Sequence, residues 1–217
     1  MALSDQVNNY CERIGPEFWS EPLNAVTNTA FLIAALAAWL IWRGKTPDDL
    51  PALLLIAIVF ATGVGSFLFH TFATRWASLA DVIPIALFIH IYLLFALKRF
   101  LALPWWAAVG IVMVFFAVSP FVIGALAPLV GSSAGYVPAL LAIFGVGGLY
   151  CRSDRRLGRQ VLLTGVIFTA SLGFRMLDEP LCAHLVIGTH FLWHILNSIV
   201  LFALLRVLIF QRAGKTL

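Results

Sequence analysis

Two histidines, His190 and His194, stand four residues apart in the segment His-Phe-Leu-Trp-His. On a helix they share one face, a turn apart, which is the spacing at which two imidazoles hold one metal ion, with zinc the natural choice. The segment is not the metalloprotease helix motif, where a glutamate follows the first histidine as general base; that position is Phe191. His70 offers a third imidazole, and three protein ligands would leave the open fourth position of a catalytic zinc site. Ser66 lies one helical turn before His70, so its hydroxyl points to the same side. Asp81 is the acid available to handle a proton.

The elements that must position these groups are membrane spans. Of 217 residues, 62% are hydrophobic and 11% charged, and mean hydropathy is +0.99, whereas a soluble domain averages about 25% charged residues. Runs long enough to cross a hydrocarbon core fall at 23–42, 50–72, 79–97, 105–127, 136–150, 160–177 and 188–210. The fold expected is an all-α, seven-transmembrane helix bundle forming one domain over 1–217. The fifth run is short and glycine-rich (Gly145, Gly147, Gly148) and is expected to pack within the bundle. The first 22 residues lack the apolar core and cleavage site of a secretory signal, so the N-terminus is expected to be retained.

Orientation follows from the basic residues. Arg13, Arg75 and Arg175 share the side of the N-terminus. Arg43, Lys45, Lys98, Arg99, Arg152, Arg155, Arg156, Arg159, Arg206, Arg212 and Lys215 fall on the other. Cytoplasmic loops are the positive ones, which puts the N-terminus outside and the C-terminus in the cytoplasm. The net charge of +4 thus reflects topology and not nucleic-acid binding, and the short loops leave no evident obligate protein partner.

An ionisable group inside a span costs about 2.5–3.5 kcal/mol on insertion scales, so each needs a reason. His70, Asp81, His190 and His194 all fall near the outer end of their spans, which was assigned without them. The simpler alternative lets each histidine bond a backbone carbonyl and makes Asp81 an N-cap or first-turn acid. His90 is nine residues after Asp81, about 900° of rotation at roughly 100° per residue, so it faces the opposite way and is read as structural. His184 is expected in a solvated loop. Cys11 and Cys182 fall on the side where disulfides persist, and Cys151 on the reducing side.

Several segments carry a resemblance: Tyr-Cys-Glu at 10–12, Glu-Pro-Leu-Asn-Ala-Val-Thr-Asn at 21–28, and Gly-Ser-Phe-Leu-Phe-His at 65–70. Asp81, Leu-Asp-Glu-Pro-Leu-Cys at 177–182 and His-Phe-Leu-Trp-His at 190–194 complete the set. In this order they resemble the alkaline ceramidase family, within the CREST-type superfamily of seven-span hydrolases. The resemblance implies that His70, His190 and His194 bind zinc, that Ser66 assists at the oxyanion and that Asp81 handles the proton. The implied reaction is hydrolysis of the N-acyl bond of a ceramide-like membrane lipid to a fatty acid and a sphingoid-type amine, at a site toward the extracytoplasmic side. Trp193 would line the acyl pocket, unless it belongs to an interfacial aromatic belt.

The resemblance further implies calcium, with Glu12 and Glu21 at ligand positions, although Asn9 stands where aspartate is typical and Ile14 where asparagine is expected. The alternative for these acids is capping of the helix that follows. It also implies a Cys11–Cys182 disulfide, with two unpaired thiols as the alternative. Other functions remain open at this level: a zinc hydrolase of another acyl lipid, ester or N-acyl, or a non-catalytic lipid-sensing receptor.

Overall fold

The computed structural model describes residues 2–214; Lys215, counted above among the basic residues, lies outside them. The regular secondary structure of the described residues is helical, apart from one isolated bridge between Gln6 and Thr74. In chain order the elements are α1 (Pro22–Thr27), α2 (Thr29–Lys45), α3 (Leu50–Phe72) and α4 (Arg75–Phe100). Then follow α5 (Trp105–Val130), a 3₁₀ turn (Gly131–Tyr136), α6 (Val137–Tyr150), α7 (Arg155–Leu181) and α8 (His190–Ala213). Six segments are long and apolar enough to cross a membrane: α1 with α2, α3, α4, the 46-residue stretch Trp105–Tyr150, α7 and α8.

The 46-residue stretch folds back on itself. Tyr150, at the end of α6, stacks on Phe100 with ring centroids 4.5 Å apart, so α6 ends where α4 ends and α5 soon begins. At the 3₁₀ turn, the Ser133 hydroxyl instead donates to the Leu172 carbonyl near the far end of α7, at 3.0 Å. The expected packing of the glycine-rich fifth run holds in part: Gly147 is buried against α7, where a Cβ would meet Val161 and Leu162, but Gly145 and Gly148 face open space.

Helix α8 is the spine of the bundle, packed against α7 and α2 with smaller contacts to α1, α3 and α4. Leu205, Leu208 and Ile209 are fully buried there. Helix α5 is the opposite case: Ala108 is its buried residue, while Trp106, Phe116, Phe121 and Leu129 are exposed. A face this apolar would be an aggregation liability in water and is suited to lipid.

One end of the bundle is tied by ions. Asp49 caps α3 at Ala52 N–H and receives both terminal nitrogens of Arg99 at 2.7 and 2.6 Å. The Gln211 amide donates to the Arg99 carbonyl. At the other end, the N-terminal segment lies over the α3–α4 corner, with Val7 N–H donating to the Ala73 carbonyl at 2.7 Å. A Cys11–Cys182 disulfide joins that segment to the end of α7, which resolves the cysteines in favour of the bridge.

Candidate metal centre

Two helices deliver the three histidines to this second end. His70 is in the last turn of α3, and His190 and His194 are in the first turns of α8. All three are buried, and one donor nitrogen from each lies within 4.8 Å of the others. Ring centroids are 4.6 Å apart for His190–His194, 4.7 Å for His70–His194 and 5.3 Å for His70–His190.

The partner of the second nitrogen on two of these rings shows that the first carries no hydrogen. His70 Nδ1 lies 2.6 Å from Glu21 Oε2. A carboxylate only accepts, so Nδ1 carries the hydrogen and Nε2 presents a lone pair. His194 Nδ1 lies 3.0 Å from Thr27 Oγ1, whose own proton goes to the Leu23 carbonyl at 2.8 Å. Thr27 therefore accepts, and His194 Nε2 is also bare. His70 Nε2, His194 Nε2 and His190 Nδ1 are buried with no hydrogen-bond partner. Buried polar atoms are seldom left so. Three converging imidazoles, two oriented by partners on their far sides, form the donor set that suits zinc.

Thr27 reaches His194 because the first span is broken. The helix interrupts at Asn28, so α1 stands apart from α2. At the head of α1, Glu12 accepts from Leu23 N–H at 2.7 Å and from Asn24 N–H at 2.8 Å. Glu12 is thus a helix cap supplied from ten residues upstream. Burial pushes its carboxyl up, against those two bonds. Glu21 is pushed up by burial too, but hydrogen bonds from His70 and Arg13 outweigh that and hold it below its usual range.

Ser66 and Asp81 meet across the tightest helix contact in the site. A Cβ added at Gly65 would fall 2.0 Å from the Ala80 carbonyl oxygen and 3.1 Å from Asp81 N, so only glycine lets α3 and α4 approach this closely. The Asp81 carboxylate sits beside Ser66 and within electrostatic reach of His70 and Arg175. Ser66 Oγ and Asp81 Oδ1 are buried without a partner. Asp81 is no cap: α4 starts at Arg75 with Thr74 as its N-cap, about two turns earlier. It starts there because Arg75 and Trp76 N–H bond the Asp5 and Leu3 carbonyls of the N-terminal segment.

Aromatic rings and an arginine close the site. Tyr10 stacks on His190 with ring centroids 3.8 Å apart, and the Trp193 indole stacks on the same imidazole at 5.2 Å. Burial pushes the Tyr10 phenol up, so it stays neutral. Trp193 is buried, which removes it from any lipid-facing belt. The Arg175 guanidinium lies over Trp193, Tyr136 and Tyr10 at 5.5, 5.4 and 6.0 Å. Asp178, one turn on, accepts from Cys11 N–H at 3.1 Å, Thr189 N–H at 2.7 Å and His190 N–H at 2.9 Å. It caps α8 where the His190–His194 pair begins. Beyond Tyr136 an apolar cavity runs between α4, α6, α7 and α8, lined by Phe88, Tyr92, Phe168, Asn197 and Leu201 among others.

A family model for ceramidase matches residues 7–216, nearly the whole chain. The chain belongs to the ceramidase family. No curated protein matches it. Within this family member, the structure brings Ser66, His70, Asp81, His190, Trp193 and His194 to one end of the bundle. Glu21 lies against His70, and Glu12 sits at the head of α1. His90 bonds the Ala86 carbonyl at 2.7 Å and packs on Phe115 and Phe116, away from the site. Arg13, Thr27, Tyr10, Arg175 and Asp178 were not foreseen. Asp178, Thr27 and Tyr10 each lie in a segment that carried the resemblance, with no role attached to them; Arg13 and Arg175 had no such signal.

Proposed function

We propose that this chain is a zinc-dependent intramembrane amidase that hydrolyses the N-acyl bond of ceramide-like lipids to a fatty acid and a sphingoid-type amine. The observation that carries the reading is the set of buried, unpartnered atoms that converge there: three imidazole nitrogens, Ser66 Oγ and Asp81 Oδ1. Family membership supports the substrate class. The bundle is read as seven crossings, since α6 with its preceding 3₁₀ turn spans about 33 Å at roughly 1.5 and 2.0 Å per residue. The N-terminus is placed outside and the C-terminus in the cytoplasm, which sets the site toward the extracytoplasmic face.

His70, His190 and His194 would hold zinc, which when bound would supply Lewis acidity and make water a competent nucleophile near neutral pH. Asp81 Oδ1 accepts the proton that water gives up and returns it to the nitrogen as the C–N bond breaks, so one water yields acid and amine. Ser66 Oγ–H donates to the oxygen on which charge develops. The cavity beyond Tyr136 takes the acyl chain, with Trp193 at its head. Arg175 faces the carboxylate product from within its aromatic cage.

Turnover of a panel of N-acyl and O-acyl lipids, measured with zinc content, tests this. Wild type is expected to carry zinc and cleave ceramides. His194→Ala should lose both, and Asp81→Ala should keep zinc and lose turnover. Zinc retained by wild type with no lipid cleaved would overturn the enzyme reading.

A further inference from the structure

The acidic N-terminal segment, whose resemblance implies calcium, does not fit that ion. Calcium takes six to eight oxygens at about 2.3–2.6 Å. Here both Glu12 oxygens receive backbone N–H groups. Glu21 Oε1 receives Arg13 Nε, and Oε2 receives His70 Nδ1 and, at 3.2 Å, the Asn24 amide. Of the oxygens on these three side chains, Asn24 Oδ1 alone lacks a donor. Asn9 is exposed, and Ile14 brings no oxygen and is 85% exposed.

Arg13 has the environment that a cation would have. It is buried, paired with Glu21, and donates to the Gly15 carbonyl at 3.0 Å and the His70 carbonyl at 2.9 Å. One carboxylate and two backbone carbonyls are the oxygen types that hard cations select. Arg13 therefore grips His70 twice, at its backbone directly and at its ring through Glu21.

We propose that Arg13 is the resident cation of this site, replacing a bound divalent ion, and that it positions His70 so that calcium is not required. The positioning half rests on the zinc reading above; the calcium half does not. A planar, permanently charged guanidinium is suited to such a place, and lysine would keep the charge without the fork.

The test uses the full chain in detergent micelles and calcium-depleted buffer. Retention of ⁴⁵Ca²⁺ in equilibrium dialysis is measured for wild type, and zinc affinity by chelator competition for wild type, Arg13→Lys and Arg13→Ala. Wild type is expected to retain no calcium, and its melting temperature should not move with millimolar CaCl₂. Arg13→Ala should lose zinc affinity by about 10–100-fold, as loss of an outer-shell partner does, with Arg13→Lys between. One calcium retained per wild-type chain would overturn the proposal. So would an Arg13→Ala zinc affinity within about threefold of wild type, well short of the usual outer-shell effect. If Arg13→Ala does not fold, the wild-type calcium measurement and Arg13→Lys still decide. Wild type with neither metal would refute the zinc reading while leaving the calcium half standing.

Discussion

Gly65→Ala offers the sharpest test of how the site is assembled. By local propensity alone this change should stabilise α3, since alanine in a helix interior is favoured over glycine by about 0.5–1 kcal/mol. The structure reverses the sign. The new methyl would sit 2.0 Å from the Ala80 carbonyl oxygen, whereas even the tightest real Cβ contacts start near 3.0 Å. The helices must therefore part by about 1 Å, at an overpacking cost of about 1–3 kcal/mol. Helix α3 is held by α1, α2 and α8 as well, so α4 is the one to move. It carries Asp81 away from Ser66 and leaves the histidines in place. A misplacement of about 1 Å can cost about 100-fold in rate, equivalent to about 2.7 kcal/mol of barrier. The assay is ceramide turnover by purified protein, with zinc content and melting temperature recorded on the same samples. Full zinc with kcat lowered by about two orders of magnitude is expected. Gly148→Ala, whose Cβ meets nothing within 4 Å, should lower neither. Turnover of Gly65→Ala within about threefold of wild type would refute the link between helix approach and catalysis. Loss of zinc in step with activity would show that α3 moved instead.

Three further changes probe the supporting groups. Thr27→Val removes the acceptor for His194 Nδ1 at nearly constant volume, and should weaken zinc binding about tenfold or more in a chelator competition; unchanged affinity would refute the tautomer assignment. Asp178→Ala strips the partner from three backbone N–H groups, and a charged cap of this kind is worth about 1.5–3 kcal/mol. Its melting temperature should fall and zinc with it, whereas a merely exposed acid would change neither. Reducing Cys11–Cys182, which are 171 residues apart, removes a crosslink worth at most about 5 kcal/mol on chain-entropy grounds. The helices persist in the membrane without it, so proteolysis should cut the N-terminal segment first after reduction; equal resistance in both states would show that the bridge does not hold it.

Much of the scaffold was legible because lipid imposes a simple rule on sequence. Each apolar run of sufficient length became helix, and hydropathy located the runs. Their ends were less readable. Helix α4 begins at Arg75, four residues before its apolar run, because its first amides are capped by the N-terminal segment. Helix α7 begins at Arg155, where Asp154 caps it at Leu157 N–H, among arginines that hydropathy excludes. The three-histidine cluster was legible for a different reason: His190 and His194 are related by helical spacing, and polar residues in lipid are rare enough to single out.

What spacing could not reveal was the shell that sets the tautomers of those histidines. Thr27 and His194 are 167 residues apart, and Glu21 and His70 are 49 apart. Neither pair has a periodicity that could announce it. The N-terminal segment was opaque for the same reason. Its acids could be assigned as metal ligands or as caps of the next helix, and nothing local chose between them. The contacts divide the two glutamates. Glu12 reaches forward to cap α1, while Glu21 turns back to hold His70 and is itself paired with Arg13. The segment with the weakest hydropathy signal is therefore the one that sets the proton position on His70. It follows that substitutions there should alter metal affinity before they alter the fold.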